Sequence, residues 1–587
     1  MSAKDETYVG RVRHVLGSQV TVELDPALAG VSPIYRGQIQ QIGQIGSLVR
    51  LPQGMVDLIA TVTLVGISEL TTGPTLQRSS PSGERWLQLQ LLGEVDRGTK
   101  QFSRGVGSYP GLDDPVHFAR EEELEAVYPG ASESHVRVGR LAAAERVPVA
   151  LNVDKLVVRH SAVVGSTGAG KTSAVASLLQ AFATDQWPSA NIIVIDSHGE
   201  YSSALQGCSS VKSVLGNESE RLHVPHWALP AEDILRAFAG SSGGPTTQKT
   251  WANFVADARR SFAADAKWLQ LDPQAITSDT PVPFDIRDVW FRLDCENRET
   301  RTNKTDPTTA CVDIVGNASE LKQTVYKPHG PGGQPPMQNP SFGMHGNIPD
   351  LLRLGLLDPR LAFMREPAGT VEGPDPLLEA VDSWIGGTSP VSVLDFNGVP
   401  DAAAELAIGV ILKLLFDIAV RTPAESDGIG RPSPVLIVLE EAHRYLGETA
   451  APIARDAANR IAREGRKYGV GLMLVTQRPS DLPDTALAQC GTIIALRLSN
   501  SADQSKIRTA LPDSIAGLAE TLPSLRTGEA IISGEALVLP TRALIDRPSP
   551  LPLAEDPSLG SWRADARKRN IEPALARWRS IYGQESE

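Results

Sequence analysis

The octapeptide GSTGAGKT, Gly165 to Thr172, constrains this chain more than any other stretch. It satisfies GxxxxGK[ST], a loop whose glycines let the backbone turn tightly enough for its N–H groups to face phosphate oxygens. Gly165, Gly168, Ala169 and Gly170 form that cradle. Lys171 is placed to reach the β- and γ-phosphates, and the Thr172 hydroxyl to ligate Mg²⁺. Ser173 follows in the first turn of a helix whose positive end points at the same place. The loop comes after an apolar run and before a helical pattern, as the mechanism requires. The expected ligand is ATP or a related nucleotide with Mg²⁺.

Apolar runs around the loop read as buried parallel strands. They are SAVVG (Ser161–Gly165), IIVID (Ile192–Asp196), VSVLDF (Val391–Phe396), VLIVLEE (Val435–Glu441) and GLMLVTQ (Gly471–Gln477). TIIALRL (Thr492–Leu498) extends the sheet. Several of these runs end in polar residues. Glu440 is placed to hold the Mg²⁺ shell through water and Glu441 to polarise the attacking water. The same pair also reads as an acidic helix start favoured by the helix dipole. Gln477 can sense a γ-phosphate or orient water, or simply lead a turn into Pro479. Asp196, His198 and Glu200 leave the second strand toward the loop's edge, and Asp196 is a candidate nucleotide contact. Arg463 and Arg466 share a helix face. That face reads either as solvated or as a source of an arginine finger for a neighbouring subunit.

The rest of the chain supplies context. Its 587 residues allow roughly three or four domains of about 150 residues. A 41% hydrophobic and 21% charged composition fits a soluble protein. No apolar run reaches about 18 residues, and the N-terminus lacks a signal-peptide core, so no membrane span and a cytoplasmic location are expected. Cys208, Cys295, Cys311 and Cys490 are scattered, which suggests neither disulfides nor zinc. A net charge of −13 argues against a broad basic coat for nucleic acid but not against a narrow basic channel.

Residues 1–105 alternate short β-type runs with turns, as a small barrel does. Residues 106–155 form a connector. Residues 156–209 and 389–547 are two parts of one α/β core, the second ending in a hairpin pair over Gly528–Ile545. Between them, 210–388 reads as a mostly helical insertion. There Trp251, Phe254, Val255, Ala258 and Phe262 share a helix face, and Lys327–Asn347 is a Gly/Pro-rich loop. Residues 548–587 hold a linker and an arginine-bearing helix from Trp562.

The order of RHSAVVGSTGAGKTSAV, VIDSHGEY, VLEEAHRYL, REGRKYGVGLMLVTQRPSDL and GEAIISGEALVLPTR resembles the HerA family of ATPases, within the HerA/FtsK group. The N-terminal region with FSRGVGSYP resembles that family's HAS-barrel. The resemblance spans about 5–545. It implies an α/β fold: a RecA-like P-loop ATPase core, an N-terminal small β-barrel and a helical insertion. It further implies a homo-hexamer around double-stranded DNA, with ATP between subunits driving translocation or unwinding. Arg466 matches the family's trans-acting arginine, and Arg159 a position used near nucleotide. The family also implies a partner docking on the barrel. That partner is a NurA-like nuclease in DNA end processing, or a sirtuin-like NADase or nuclease effector in antiphage defence. The final helix resembles a strap onto the next subunit; DNA binding by its arginines is the other reading. No nuclease constellation is present in the sequence. Two further functions stay open: a ring-shaped scaffold that regulates an effector, and a conjugation- or secretion-type motor.

Overall fold

The computed structural model describes residues 7–28, 34–35, 38–39, 44–67, 85–128, 130–184, 186–214, 216, 218–365, 370–512, 515–553 and 570–580. Near the N-terminus, strands with period-two burial close on themselves. Gln19–Leu24, for instance, buries Val20, Val22 and Leu24 and turns the alternate residues outward. The ring runs Gln19–Leu24, Tyr8–Leu16, Pro115–Phe118, Leu48–Gln53, Val56–Ile67 and Arg85–Asp96, and the last pairs back with the first. Val9, Val12, Val20, Leu51, Leu58, Leu87 and Leu89 fill its interior. The closing strand Pro115–Phe118 comes from the stretch expected to be connector. Its four residues, PVHF, are too short to carry a period.

The second layer is an 11-stranded sheet. Its order is Pro148–Asn152, His135–Leu141, Thr541–Ile545, Glu529–Gly534, Thr492–Leu496, Ser161–Val164, Val470–Thr476, Val435–Leu439, Asn191–Asp196, Val391–Asp395 and Ser209–Ser213. The strands from Thr492–Leu496 to Ser209–Ser213 are all parallel, and the rest pair antiparallel. His135–Leu141 and Pro148–Asn152 therefore belong to the core sheet. So does Ser209–Ser213, whose SSVKS sequence carries no apolar signal because it lies half-exposed at the sheet's edge.

Helices cover both faces, which is why the parallel strands are continuously apolar. Val163 packs on the side of the P-loop helix, Lys171–Phe182. Ala162 and Val164 face the layer containing the helices Asp401–Arg421 and Pro452–Tyr468.

The insertion shares this second core rather than riding outside it. Its longer helices are Ala231–Ala239, Pro245–Asp265, Ile286–Arg298, Ile348–Leu357 and Pro376–Ile385. Trp227, Trp251, Trp290 and Trp384 are buried at its centre. The indole N–H of Trp251 donates to the Ala231 carbonyl, that of Trp290 to Pro349 and that of Trp384 to His223. The buried stripe of Pro245–Asp265 runs through Trp251, Val255, Arg259 and Ala263, while Phe254, Ala258 and Phe262 sit half-buried beside it. The Arg259 guanidinium donates to the carbonyls of Thr280, Trp227 and Leu229, which explains a charge inside an apolar face.

The Gly/Pro-rich loop is pinned to Ile286–Arg298. The Asn339 amide donates to the Glu296 carbonyl and Gly343 N–H to that of Asn297. At the C-terminus Glu572–Ser580 is helical, and the expected helix start at Trp562 lies outside the described residues.

Candidate active site

Parallel pairing brings the C-terminal ends of three strands to one edge, and the P-loop springs from the middle one. Gly165 N–H donates to the Thr476 carbonyl at 3.3 Å and Ser166 N–H to the Arg497 carbonyl at 2.8 Å. Gly168 and Gly170 take φ of 73° and 96°, the left-handed region that requires glycine. Gly170 then caps the P-loop helix, leaving its first N–H groups free for phosphate. The Thr167 hydroxyl donates to Gln477 Oε1 at 2.8 Å, so Gln477 stands on the crown of the loop. The Thr172 hydroxyl donates to Glu200 Oε2 at 2.8 Å. Glu200 is the acidic residue of VIDSHGEY that touches the P-loop.

Asp196, the candidate nucleotide contact, holds a backbone turn behind the loop. It is fully buried, and its carboxylate accepts the backbone N–H groups of His198, Gly199 and Tyr201. It also bonds the Glu440 side chain. It shapes the turn that delivers Glu200.

Glu440 and Glu441 end the strand Val435–Leu439 beside this turn. Burial raises the Glu440 carboxyl well above its usual range, and the neighbouring Asp196, Glu200 and Glu441 charges raise it further. Glu441 is held at φ 49°, a strained conformation for a residue with a Cβ. Its Oε2 lies 3.3 Å from His443 Nδ1, and that nitrogen is 3.0 Å from the Thr476 hydroxyl. His443 thus links Glu441 to the strand end that carries Gln477. Sequence reasoning gave it no role; its place two residues beyond Glu441 was the available signal. Lys171 is the cation facing this group. Burial lowers its pKa, while Glu441, Glu440 and Glu200 pull it back up.

One oxygen of Glu440 is buried without a hydrogen-bond partner, and Glu441 Oε2 is buried with only the 3.3 Å approach of His443 Nδ1 beside it. A crowded, under-satisfied acidic site of this kind fits a hydrated divalent cation. Among the described residues no three His, Cys, Asp or Glu side chains form a ready-made cage.

Arg159 and Arg466 lie elsewhere. Arg466 is in the last turn of Pro452–Tyr468, just before Val470–Thr476 begins. Gln477 lies at the other end of that strand, roughly 20 Å away at about 3.3 Å per residue. Arg463 and Arg466 share an exposed face, and Arg463 is tied to the Asn459 carbonyl. Arg159 precedes the P-loop strand at the same far edge and pairs with Glu535. Between the two arginines sits His160, whose Nδ1 accepts Leu472 N–H at 3.0 Å. Burial pushes its pKa down to about 4, so the ring is neutral.

Fold and site together define a P-loop ATPase of the helicase and translocase class. Family models agree: "Helicase HerA, central domain" matches residues 136–415 and "Helicase HerA-like C-terminal" matches 377–539. The chain belongs to the HerA family. It is 25% identical to the DNA double-strand break repair helicase HerA of Saccharolobus solfataricus over 472 residues, covering 80% of this chain and 79% of that one. It is 24% identical to the protein of the same name from Sulfurisphaera tokodaii, covering 86% and 88%. Among solved structures, VirB4 of Thermoanaerobacter pseudethanolicus superposes with a TM-score of 0.44 at 15% identity, covering 71% of this chain and 98% of that one. No helix of the described residues is long and apolar enough to cross a membrane.

Proposed function

We propose that this chain is an ATP-driven motor that translocates or unwinds double-stranded DNA as a homo-hexameric ring in the cytoplasm. The observation that carries this reading is the division of the site between two edges of one sheet. The P-loop, Glu440, Glu441 and Gln477 occupy the C-terminal edge. Arg159 and Arg466 occupy the other, too far to reach a nucleotide on their own P-loop. Head-to-tail packing of subunits brings one edge against the other, and a closed head-to-tail interface generates a ring. The names of the relatives, as break-repair helicases, support DNA as the track.

In this mechanism the P-loop N–H groups and Lys171 hold the phosphates of ATP. Thr172 and Glu440 would hold Mg²⁺, which when bound would supply neutralisation of phosphate charge. Glu441 accepts the proton of the attacking water, and Gln477 orients that water and registers the γ-phosphate. Arg466 from the next subunit stabilises the developing charge, with Arg159 near the same nucleotide. A NurA-like nuclease or a defence effector, such as a sirtuin-like NADase or a nuclease, docks on the N-terminal barrel.

ATP hydrolysis measured with and without double-stranded DNA tests the reading. DNA is expected to stimulate the wild type, and Lys171→Ala or Glu441→Gln to abolish turnover. Full hydrolysis in either variant would overturn the site. Effector activation that survives in Glu441→Gln rings would favour a regulatory scaffold over a motor.

A further inference from the structure

Glu441 and Gln477 follow adjacent parallel strands, Val435–Leu439 and Val470–Thr476, and the chain just beyond the two strand ends is tied together. Ala442 N–H donates to the Val475 carbonyl at 2.9 Å. The next residue, His443, opens a single helical turn that is anchored by its neighbours. Tyr445 is buried and its hydroxyl lies 2.8 Å from that of Ser197, and Arg444 pairs with Asp401 at 2.6 Å. The imidazole therefore stands on a firm base.

Thr476, fully buried, meets the ring from the other strand, its hydroxyl 3.0 Å from Nδ1. The same hydroxyl accepts Arg478 N–H at 3.0 Å, so the two residues that flank Gln477 are joined through it. Gln477 itself reaches forward to the Thr167 hydroxyl on the crown of the P-loop. A movement of Gln477 acts on Thr476, and through Thr476 on the ring.

On the ring's other side Glu441 Oε2 lies 3.3 Å from the same nitrogen, buried and without a hydrogen bond of its own. A lone pair on Nδ1 would repel that carboxylate, so Nδ1 carries the hydrogen. Burial lowers the ring's pKa against the pull of Glu441, so near neutral pH this is its one N–H. A single donor thus faces two acceptors, bonded to Thr476 and only close to Glu441.

We propose that His443 is a positioning residue that couples the aim of the Glu441 carboxylate to the position of Gln477. When Gln477 turns from Thr167 to a γ-phosphate, it draws Thr476 away from the ring. The Nδ1 hydrogen then bonds Glu441 Oε2, which fixes the carboxylate and leaves Oε1 as base for the attacking water. The proposal rests on the reading of Glu441 as that base.

Steady-state ATP hydrolysis by the full chain with double-stranded DNA tests it, alongside calorimetry of ADP and a non-hydrolysable ATP analogue. His443→Ala is expected to lower kcat about tenfold to a hundredfold, the cost of a misplaced catalytic group, with KM and both affinities as in the wild type. His443→Asn, whose amide nitrogen stands near the place of Nδ1, should recover most of that loss. His443→Gln, whose amide nitrogen stands near the place of Nε2, should not. Combined, His443→Ala and Gln477→Ala should be no slower than the slower single variant, because both act through one link. Wild-type kcat in His443→Ala, a parallel loss of kcat and nucleotide affinity, failure of His443→Asn to recover activity, or losses that multiply in the double variant would each overturn the inference. Glu441→Gln separates this from the underlying reading. If it hydrolyses fully, the assignment of the base fails. If it is inactive while His443→Ala turns over normally, only the link through His443 fails.

Discussion

Glu441 sits at φ 49°, and its buried Oε2 has only the 3.3 Å approach of His443 Nδ1 beside it. The conformation costs a residue with a Cβ about 1–2 kcal/mol. Glycine removes that cost but gains roughly 0.5–1 kcal/mol of backbone entropy in the unfolded chain. Glu441→Gly also removes one of the charges crowding Glu440. The net expectation is a gain of about 0.5–1 kcal/mol, a rise in melting temperature of roughly 1–4 °C for a core of this size. Glu441→Gln removes the same charge but keeps the strain, so Glu441→Gly should melt above Glu441→Gln by the backbone term alone. Loss of a general base should cost about 10²–10⁴ in turnover in both variants. Nucleotide-free melting followed by steady-state ATPase measurement separates the two effects. A fall in stability of Glu441→Gly by about 1 kcal/mol or more, set against the strain argument, would refute the reasoning. So would turnover that survives in both variants.

Other perturbations follow from the same structure. Gly471→Ala should be severely destabilising, by about 3 kcal/mol or more by denaturant titration, because its Cβ would fall 1.5 Å from the Val157 carbonyl oxygen. Glu529 is buried against Arg542 and Arg526, which hold its carboxyl below the usual range despite its burial. Glu529→Ala should therefore cost about 2 kcal/mol. Because that pKa is depressed in the folded state, the stabilisation is present above the unfolded value near ~4.3 and is lost as pH falls through the folded one. Glu529→Gln should flatten that acid limb of a pH–stability curve. His160 has the opposite sense. Its folded pKa of about 4 lies below the unfolded value, so the unfolded chain binds the extra proton as pH falls from about 6.5. Native stability should then drop by up to roughly 3 kcal/mol between about pH 6.5 and 4. His160→Gln should remove that slope.

The strands that build the site were legible because parallel strands buried on both faces are written as unbroken apolar runs. The residues at their C-terminal ends could be read directly as Glu440, Glu441 and Gln477. Ser209–Ser213 and Pro115–Phe118 were not legible, since one is half-exposed and the other is four residues long. Asp196 and Glu200 were both visible as acids in VIDSHGEY, but only the turn geometry decides which caps backbone and which meets Thr172. His443 and His160 act through a single ring nitrogen on a distant strand, a relation that spacing cannot encode. Arg159 lies only six residues before Gly165, yet the intervening strand carries it to the opposite edge.

That separation is what makes the proposed site a shared one, and subunit mixing measures it most directly. Arg466→Ala rings and Glu441→Gln rings should each be inactive in ATP hydrolysis. Mixed after dissociation, they should regain activity, because some interfaces pair an intact Glu441 with an intact Arg466 from the neighbour. Mixed rings that assemble but remain as inactive as either parent would contradict a site completed by the next subunit.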